Sequence, residues 1–328
     1  MLIIKCLCLD ISDCFWLFYA SKYIDKIETS RSGAAFIAIS DYILENGGIV
    51  YGVGYKDHFR VAHKRATTKE ERNEFKGSKY VQSDLDGIFR QVKEDLKQGN
   101  TVLFSGTPCQ TAGLNSYIGK KLRENLVLVD IVCHGVPSPY IWRDYLAYIE
   151  KKYKNEVVKV DFRDKSRIGW SGHIESYIFN NKMKKESNIY TYLFYSHIMF
   201  RKSCYKCHYT NTIRPSDLTI ADYWGWEKTD NYFNVDNKGC SLIMCNTIKG
   251  KSIFFTIQND LNIRSVKKEN CLQPNMCQPS YIHKNRNIFE YQYGKLGFNY
   301  IMYRYANIGI IWKLRQLKTK ITKLINLK

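Results

Sequence analysis

The chain has 328 residues and 45% hydrophobic residues, so it is long enough to bury a large core in one or two domains. Six prolines and 20 glycines exclude a low-complexity chain and long flexible linkers. The formal net charge of +19 attracts polyanions in general. Without a recognised binding module, this charge predicts a basic surface and no specific nucleic-acid partner.

The first twenty residues are apolar, but Asp10 and Asp13 interrupt them and no small-residue cleavage site follows. No run of eighteen apolar residues occurs elsewhere, so we expect no membrane-spanning helix. These features predict a cytoplasmic protein in which the 11 cysteines stay reduced. Clustered thiols in a reducing compartment indicate metal or redox chemistry.

Helical and extended patterns alternate through the first hundred residues. We predict, in chain order, a helix from Gly33 capped by Ser32 and ended by Gly47, a strand at 49–55, a strand around 60–63, and a helix capped by Ser83 that runs to about Lys97.

Two short, almost continuously apolar strands follow, at 101–105 and 126–132. Each leads into a turn that carries a cysteine, Cys109 or Cys133, and then into a helical pattern; Ser138 is expected to cap the second helix, at 139–152. The alternation predicts an α/β fold: a mostly parallel sheet core with helices on both faces. Ligands of such sheets bind beyond the carboxyl ends of the strands, where both turns should lie.

The second half of the chain is richer in β structure, and its last segment is a basic amphipathic pattern. Strands are predicted at 157–162, 175–179, 218–222 and 242–246. We therefore divide the chain into a truncated N-terminal segment (1–30), an α/β region (31–155), a β-rich region (156–300), and a basic amphipathic tail (301–328). The tail predicts either a helix lying on an anionic membrane surface or a terminal helix packed on its own domain.

Cys204 and Cys207 are two residues apart, a spacing that lets two thiolates reach one metal centre. On spacing alone they could also be half of a zinc site, a redox dithiol or a chance pair. With His208 they match the attachment motif of c-type haem, but that haem is attached outside the cytoplasm. Together with Cys109 and Cys133 they make the four thiolates that a four-iron cluster needs. Cys240 and Cys245 are expected in the core, and Cys271 and Cys277 in a loop.

Several segments occur together in one order and carry a family resemblance. They are Ser-Gly-Ala-Ala-Phe (32–36), Gly-Ser-Lys-Tyr-Val-Gln-Ser (77–83), Phe-Ser-Gly-Thr-Pro-Cys-Gln (104–110), Cys-His-Gly-Val-Pro-Ser-Pro (133–139), Phe-Arg-Asp-Lys (162–165), Cys-Tyr-Lys-Cys (204–207) and Asp-Tyr-Trp-Gly (222–225). Over roughly residues 18–290 the chain resembles the coenzyme F420 hydrogenase/dehydrogenase beta-subunit family, including bacterial members encoded among polysaccharide-biosynthesis genes.

The resemblance implies an oxidoreductase that passes electrons between one [4Fe-4S] cluster and FAD, with coenzyme F420 as a further redox cofactor in some relatives. The implied cluster ligands are Cys109, Cys133, Cys204 and Cys207. The implied flavin-binding residues lie in three groups: Ser32 and Gly33 at a helix N-terminus suited to a pyrophosphate; Gly77, Ser78 and Lys79 in a turn; and Thr107, Gln110 and His134 at the strand ends.

Two departures from the family pattern affect these expectations. Many bacterial relatives begin with a ferredoxin-like module, which we expect this chain to lack, so its electron donor is open. Ala34 and Ala35 stand where relatives often have glycines. The basic surface suits an acidic redox partner such as ferredoxin, or a small-molecule or nucleotide-sugar substrate, and the tail allows peripheral contact with the inner membrane. The alternative is a non-catalytic scaffold in which the same thiolates hold structural zinc.

Overall fold

In this computed structural model, residues 15–309 and 312–313 are described. The first fourteen residues, and residues 310, 311 and 314–328 of the predicted amphipathic tail, lie outside the described residues. Within the described part, no helix is long and apolar enough to cross a membrane.

An eight-stranded mixed sheet forms the centre of the molecule, in the spatial order β11-β1-β10-β9-β5-β4-β2-β3. Its strands are β1 (Phe15–Ser21), β2 (Ile49–Lys56), β3 (Arg60–Ala66), β4 (Val102–Gly106), β5 (Leu126–Ile131), β9 (Leu218–Asp222), β10 (Ser241–Cys245) and β11 (Leu261–Ser265). The four central strands β2, β4, β5 and β9 are parallel, and the flanking strands are antiparallel. Strands from both sides of residue 155 therefore belong to one sheet.

Helices cover both faces of this sheet because its central strands are apolar on both sides. The helices are α1 (Ile24–Glu28), α2 (Ala35–Glu45), α3 (Lys69–Asn73), α4 (Ile88–Lys97), α5 (Pro108–Ile118), α6 (Pro139–Tyr153), α7 (Ile189–Tyr195), α8 (Ile248–Ile257), α9 (Lys268–Cys271) and α10 (Arg286–Tyr305). On one face Leu103 and Val127 pack with α2 and α8. On the other, Phe104 and Leu128 pack with α4 and α5. The α/β fold with helices on both faces is confirmed.

A second layer is built on the antiparallel sheet β6 (Val157–Asp161), β7 (Glu175–Phe179) and β8 (Lys184–Ser187). Its core combines side chains from this sheet with α6, α7 and α10, and the aromatic residues Trp142, Tyr145, Tyr190 and Phe298 are buried in it. Buried Glu175 accepts hydrogen bonds from the backbone amides of Tyr190 and Thr191 at the start of α7. This side chain therefore fixes the start of α7, whose last residue is Tyr195, to the middle strand β7 of the second layer.

Two predicted helix caps are wrong. Helix α2 begins at Ala35 rather than Gly33, its N-cap is Ala34 with φ 69°, and the Ser32 hydroxyl donates to the Cys240 carbonyl at 2.7 Å. Helix α4 begins at Ile88 with Gly87 as its N-cap, and Ser83 instead bonds His63. The cap at Ser138 is confirmed, since its hydroxyl accepts a hydrogen bond from the Tyr140 amide. In both cases the serine hydroxyl forms its hydrogen bond with a residue that is distant in the sequence, Cys240 for Ser32 and His63 for Ser83.

Candidate functional site

Two of the four predicted cluster ligands lie at the carboxyl ends of neighbouring parallel strands. Gly106 at the end of β4 is paired with Asp130 of β5. The chain then turns into α5, where Pro108 fixes the first helical turn and places Cys109 on the surface. After β5 the chain turns through half-buried Cys133. The strand ends therefore bring these two cysteines to one edge of the sheet, as the sequence predicts.

The other two cysteines reach this edge because their segment is fastened to the turn after β5. Pro137 and Phe200 form a β-bridge, and the Arg201 amide donates to the Val136 carbonyl at 3.0 Å. The chain then enters a 3₁₀ turn at Lys202–Lys206, which carries Cys204 and is followed directly by Cys207. The Cys204 and Cys133 turns thus lie side by side.

The four thiols interact electrostatically. Burial raises the pKa of Cys133, and nearby Cys204, Cys109 and Cys207 raise it further. Burial also raises the pKa of Cys204, with Cys109 and Cys207 adding to it. The backbone amides of Gly135 and Val136 oppose these shifts through hydrogen bonds to the two sulfurs. The four thiols therefore lie within electrostatic range of one another, although among the described residues no group of three or more His, Cys, Asp or Glu is arranged to hold a metal ion as it stands.

The donor set fits a metal group that is bound by thiolates. Burial and the neighbouring thiols disfavour the charged forms of Cys133 and Cys204, and an iron–sulfur core or a zinc ion would provide the positive charge that compensates them. Backbone amides that already point at two of the sulfurs are the hydrogen bonds that tune iron–sulfur clusters.

A chain of hydrogen bonds links Cys109 to a buried histidine. The hydroxyl of Thr107 lies 3.2 Å from the Cys109 sulfur and 3.0 Å from Oε1 of Gln110. Gln110 Nε2 donates to the Ser83 hydroxyl at 2.9 Å, and that hydroxyl lies 3.0 Å from Nδ1 of His63. Since His63 Nε2 bonds the Ser105 carbonyl at 3.1 Å, Nε2 carries the proton and Nδ1 accepts from Ser83.

His63 is fully buried, stacked on Phe104 with ring centroids 4.9 Å apart. Burial lowers its pKa to about 4, so the ring is neutral at physiological pH. Thr107 and Gln110, predicted as flavin contacts, are thereby engaged with Cys109 and with this chain of hydrogen bonds.

An aromatic cavity of about 330 Å³ adjoins the cysteine site, because His134 directly follows Cys133 and lines it. Its walls also include His173, Tyr195 and Trp224, and the segment 272–275 closes one side. That segment is held by the side-chain amide of Gln273, whose Nε2 donates to the backbone carbonyl of Asp222 at 2.6 Å.

Buried charges support the wall of the cavity. Arg163 forms an ion pair with Asp222 and lies over the Trp224 ring, 5.3 Å from its centroid. Trp224 also stacks on Trp170 at 4.4 Å. Arg31 donates to the carbonyls of Arg163 and Trp170, and burial lowers the pKa of Arg31 to about 10. A cationic frame therefore lies behind an aromatic surface.

The two histidines of the cavity are neutral. Burial lowers the pKa of His134 to about 4, with His197 and Arg163 adding to the effect. Burial also lowers the pKa of His173 to about 4, with Arg163 and Arg31 adding to it. Nδ1 of His173 is buried and has no hydrogen-bond partner within the described chain. It is therefore a polar atom available to a ligand.

The other predicted flavin contacts lie apart from the cavity wall. The Gly33 amide donates to the Ser241 hydroxyl at 2.9 Å, so a phosphate there would compete with that bond. Gly77 and Ser78 form an exposed turn, with Gly77 at φ 78°. Lys79 donates to the carbonyls of Glu74 and Lys76, and burial lowers its pKa to about 7. The next residue, Tyr80, brings this turn towards the cavity, because its hydroxyl lies 3.4 Å from that of Tyr195.

Sequence reasoning missed most of the cavity. His173 and Tyr195 lie outside every motif and show no diagnostic spacing. Arg163, Asp222 and Trp224 do lie in two segments that carry the family resemblance, 162–165 and 222–225, although no role was assigned to them there. The presence of both segments among the family motifs is the sequence signal that could have found these three residues, since the ion pair of Arg163 and Asp222 joins the two segments in the structure.

The chain is an α/β protein similar to the redox-related hydrogenase and dehydrogenase beta subunits. The family model for the C-terminal part of the coenzyme F420 hydrogenase/dehydrogenase beta subunit matches residues 99–270, slightly more than half of the chain. The chain belongs to this family. The matched range contains all four predicted ligand cysteines and the cavity residues His134, His173, Tyr195 and Trp224, and it ends just before the segment 272–275.

A solved structure shows the same fold. The chain is similar to a chain of the F420-reducing [NiFe] hydrogenase complex from Methanosarcina barkeri, with a TM-score of 0.54 and 15% sequence identity. The similarity covers 87% of this chain and 94% of that chain. No match was found among curated proteins.

Proposed function

We propose that this protein is an iron–sulfur flavoprotein oxidoreductase, with a [4Fe-4S] cluster on Cys109, Cys133, Cys204 and Cys207 and a flavin ring in the adjacent aromatic cavity. The observation that carries the proposal is the convergence of four thiols from three separate segments directly beside that cavity. When bound, the flavin would connect the one-electron steps of the cluster with a two-electron step on a substrate.

The cavity residues suit a planar ring with polar edges. A volume of about 330 Å³ is at the small end of ligand pockets, which is enough for a tricyclic ring and too little for a whole dinucleotide. Tyr195 and Trp224 offer apolar surface and exclude water. Nδ1 of His173 can donate a hydrogen bond to the ring edge, because the neutral imidazole accepts at Nε2, 3.5 Å from Nη2 of Arg163, and so carries its proton on Nδ1.

The phosphates of FAD would extend from the cavity towards the turn that carries Lys79. This amine lies beyond Tyr80, which contacts the cavity wall. A bound phosphate would stabilise the protonated amine and raise the pKa of Lys79 from about 7. Gly77, Ser78, Ser32 and Gly33 remain our predicted contacts for this part of the cofactor.

The exposed position of Cys109 suits electron exchange with an external partner, since it brings one ligand of the cluster to the surface. The net charge of +19 favours an acidic partner such as a ferredoxin. The use of coenzyme F420, a setting in polysaccharide biosynthesis, a nucleotide-sugar substrate, cytoplasmic location and membrane contact through the tail stay predictions from the sequence.

The test is anaerobic purification followed by measurement of iron, acid-labile sulfide, zinc and flavin, together with the visible spectrum. We expect about four irons, four sulfides and one flavin per chain. Cys204→Ser should lose the iron and sulfide, whereas Cys277→Ser, an exposed cysteine outside the converging set, should keep them. A folded protein with zinc and no sulfide would support the structural-zinc alternative and overturn the proposal.

A further inference from the structure

Arg214 is a buried arginine seven positions after Cys207 in the chain. Its side chain is 1% exposed, and its Nη2 lies 3.0 Å from Oδ2 of Asp130, which is 0% exposed. Asp130 is in β5, three residues before Cys133. The ion pair therefore joins the strand that leads to one predicted cluster ligand to the segment that follows another.

The remaining donors of Arg214 bond the same two segments. Nη2 donates to the Ile131 carbonyl at 2.9 Å, two residues before Cys133. Nη1 donates to the Tyr209 carbonyl at 2.8 Å, two residues after Cys207. Nε lies 3.3 Å from the Thr219 hydroxyl in β9, the strand that pairs with β5. The Arg214 guanidinium thus connects the backbone just before Cys133 to the backbone just after Cys207. It carries only donors, so it is not itself a metal ligand.

We propose that Arg214 is a positioning residue that fixes the separation of the Cys133 and Cys207 sulfurs and thereby the stability of the cluster. This inference rests on the proposed function, since it assumes a cluster on these thiols. A planar guanidinium has five donors in a rigid fork, so it can bond Asp130 and two carbonyls from different segments at once. A lysine ammonium keeps the charge, but it is a single point on a flexible stem and cannot hold both carbonyls in the same geometry.

A matched control is available elsewhere in the chain. Arg72 is also buried, with 3% of its side chain exposed, and it pairs with Asp41 at 2.6 Å. Its other hydrogen bonds go to the Ile37 carbonyl and the Ser40 hydroxyl, so it joins α3 to α2 only. Replacing either arginine by lysine disturbs a buried ion pair, but only Arg214→Lys disturbs a segment that carries a ligand.

The experiment compares Arg214→Lys, Arg72→Lys and the unmutated protein, each loaded with iron and sulfide, and follows anaerobic loss of iron to an excess chelator. We expect Arg214→Lys to release iron about tenfold faster, the size of effect that residues behind a metal ligand commonly have. Arg72→Lys should release iron at the unmutated rate. Equal release rates in the two variants would overturn the inference.

Hydrogen–deuterium exchange on the iron-free proteins gives a second readout. Amides at 205–213 should exchange faster in Arg214→Lys than in Arg72→Lys, and unchanged exchange there would contradict the inference. If Arg214→Lys does not fold, Asp130→Asn replaces it, because that change removes the counter-charge and leaves the carbonyl bonds of Arg214 in place. Absence of iron from the unmutated protein would count against the proposed function, and the exchange experiment would still decide whether Arg214 holds the segment.

Discussion

The Thr107 hydroxyl lies 3.2 Å from the sulfur of Cys109. The same hydroxyl lies 3.0 Å from Oε1 of Gln110, and it has only one proton to donate. A thiolate that binds iron is a stronger acceptor than a thiol, so cluster binding should turn this proton from Gln110 towards the sulfur. Thr107 would then be a hydrogen-bond donor to a cluster ligand.

Thr107→Val should lower the reduction potential of the cluster. A donor to a ligand sulfur favours the reduced, more negative state, and a difference of about 1 kcal/mol between the two states corresponds to about 40 mV for one electron. The measurement is a redox titration followed by electron paramagnetic resonance. Thr107→Ser keeps the hydroxyl and should keep the unmutated potential; an equal shift in both variants would contradict the role of the hydroxyl.

Leu272→Trp should exclude the flavin while leaving the cluster in place. Leu272 is 41% exposed at the mouth of the aromatic cavity, so a larger side chain can occupy the space that we assign to the ring. The flavin content should fall to less than half, with the iron content unchanged. Leu296→Trp, at a position 54% exposed on α10 and outside the cavity lining, should bind flavin normally. Full flavin content in Leu272→Trp would place the ring elsewhere.

Gly135→Ala should destabilise the fold more than an ordinary replacement of a glycine with positive φ. Gly135 has φ 139°, and a Cβ there would lie 2.6 Å from Cδ2 of Phe200. Backbone strain and overlap together should reduce the free energy of unfolding by about 2–4 kcal/mol. Gly99→Ala, at φ 84° with open space around it, is the control and should cost about 1 kcal/mol. Urea unfolding of both variants measures the difference. Equal losses in the free energy of unfolding would show that the Phe200 side chain moves aside without cost.

Acid should destabilise the protein through His63. Its pKa is about 4 in the folded protein and near 6.5 in the unfolded chain, so the unfolded chain binds more protons between these values. Stability is therefore unaffected by this residue above pH 6.5 and falls as the pH decreases towards 4. Between pH 7 and about pH 4.5, the unmutated protein should lose about 2–3 kcal/mol more than His63→Gln. Parallel losses in urea unfolding at the two pH values would show that His63 does not contribute.

The sequence predicted the elements whose signals are local. Pro139 favours the first position of a helix, and a serine directly before that position is a good N-cap. The sequence therefore predicted that Ser138 caps α6. The apolar runs predicted as strands at 101–105 and 126–132 form the adjacent parallel strands β4 and β5, and this places Cys109 and Cys133 at one edge. The capping role of Ser32 could not be judged locally, because its partner, the Cys240 carbonyl, is 208 residues away. His173 and Trp224 share a wall only because the second layer folds back on the sheet, which no spacing indicates.

The position of β1 has a consequence for folding during synthesis. This strand lies between β10 and β11, with Phe15 opposite Cys245 and Ser21 opposite Leu261. Once synthesised, β1 must therefore wait for about 230 further residues, roughly 10–50 s at usual rates of synthesis, before either of its neighbours exists. Until then its backbone edges are unpaired and open to other chains. We expect the nascent chain to depend on chaperone binding at β1, and the sheet to close late and nearly all at once.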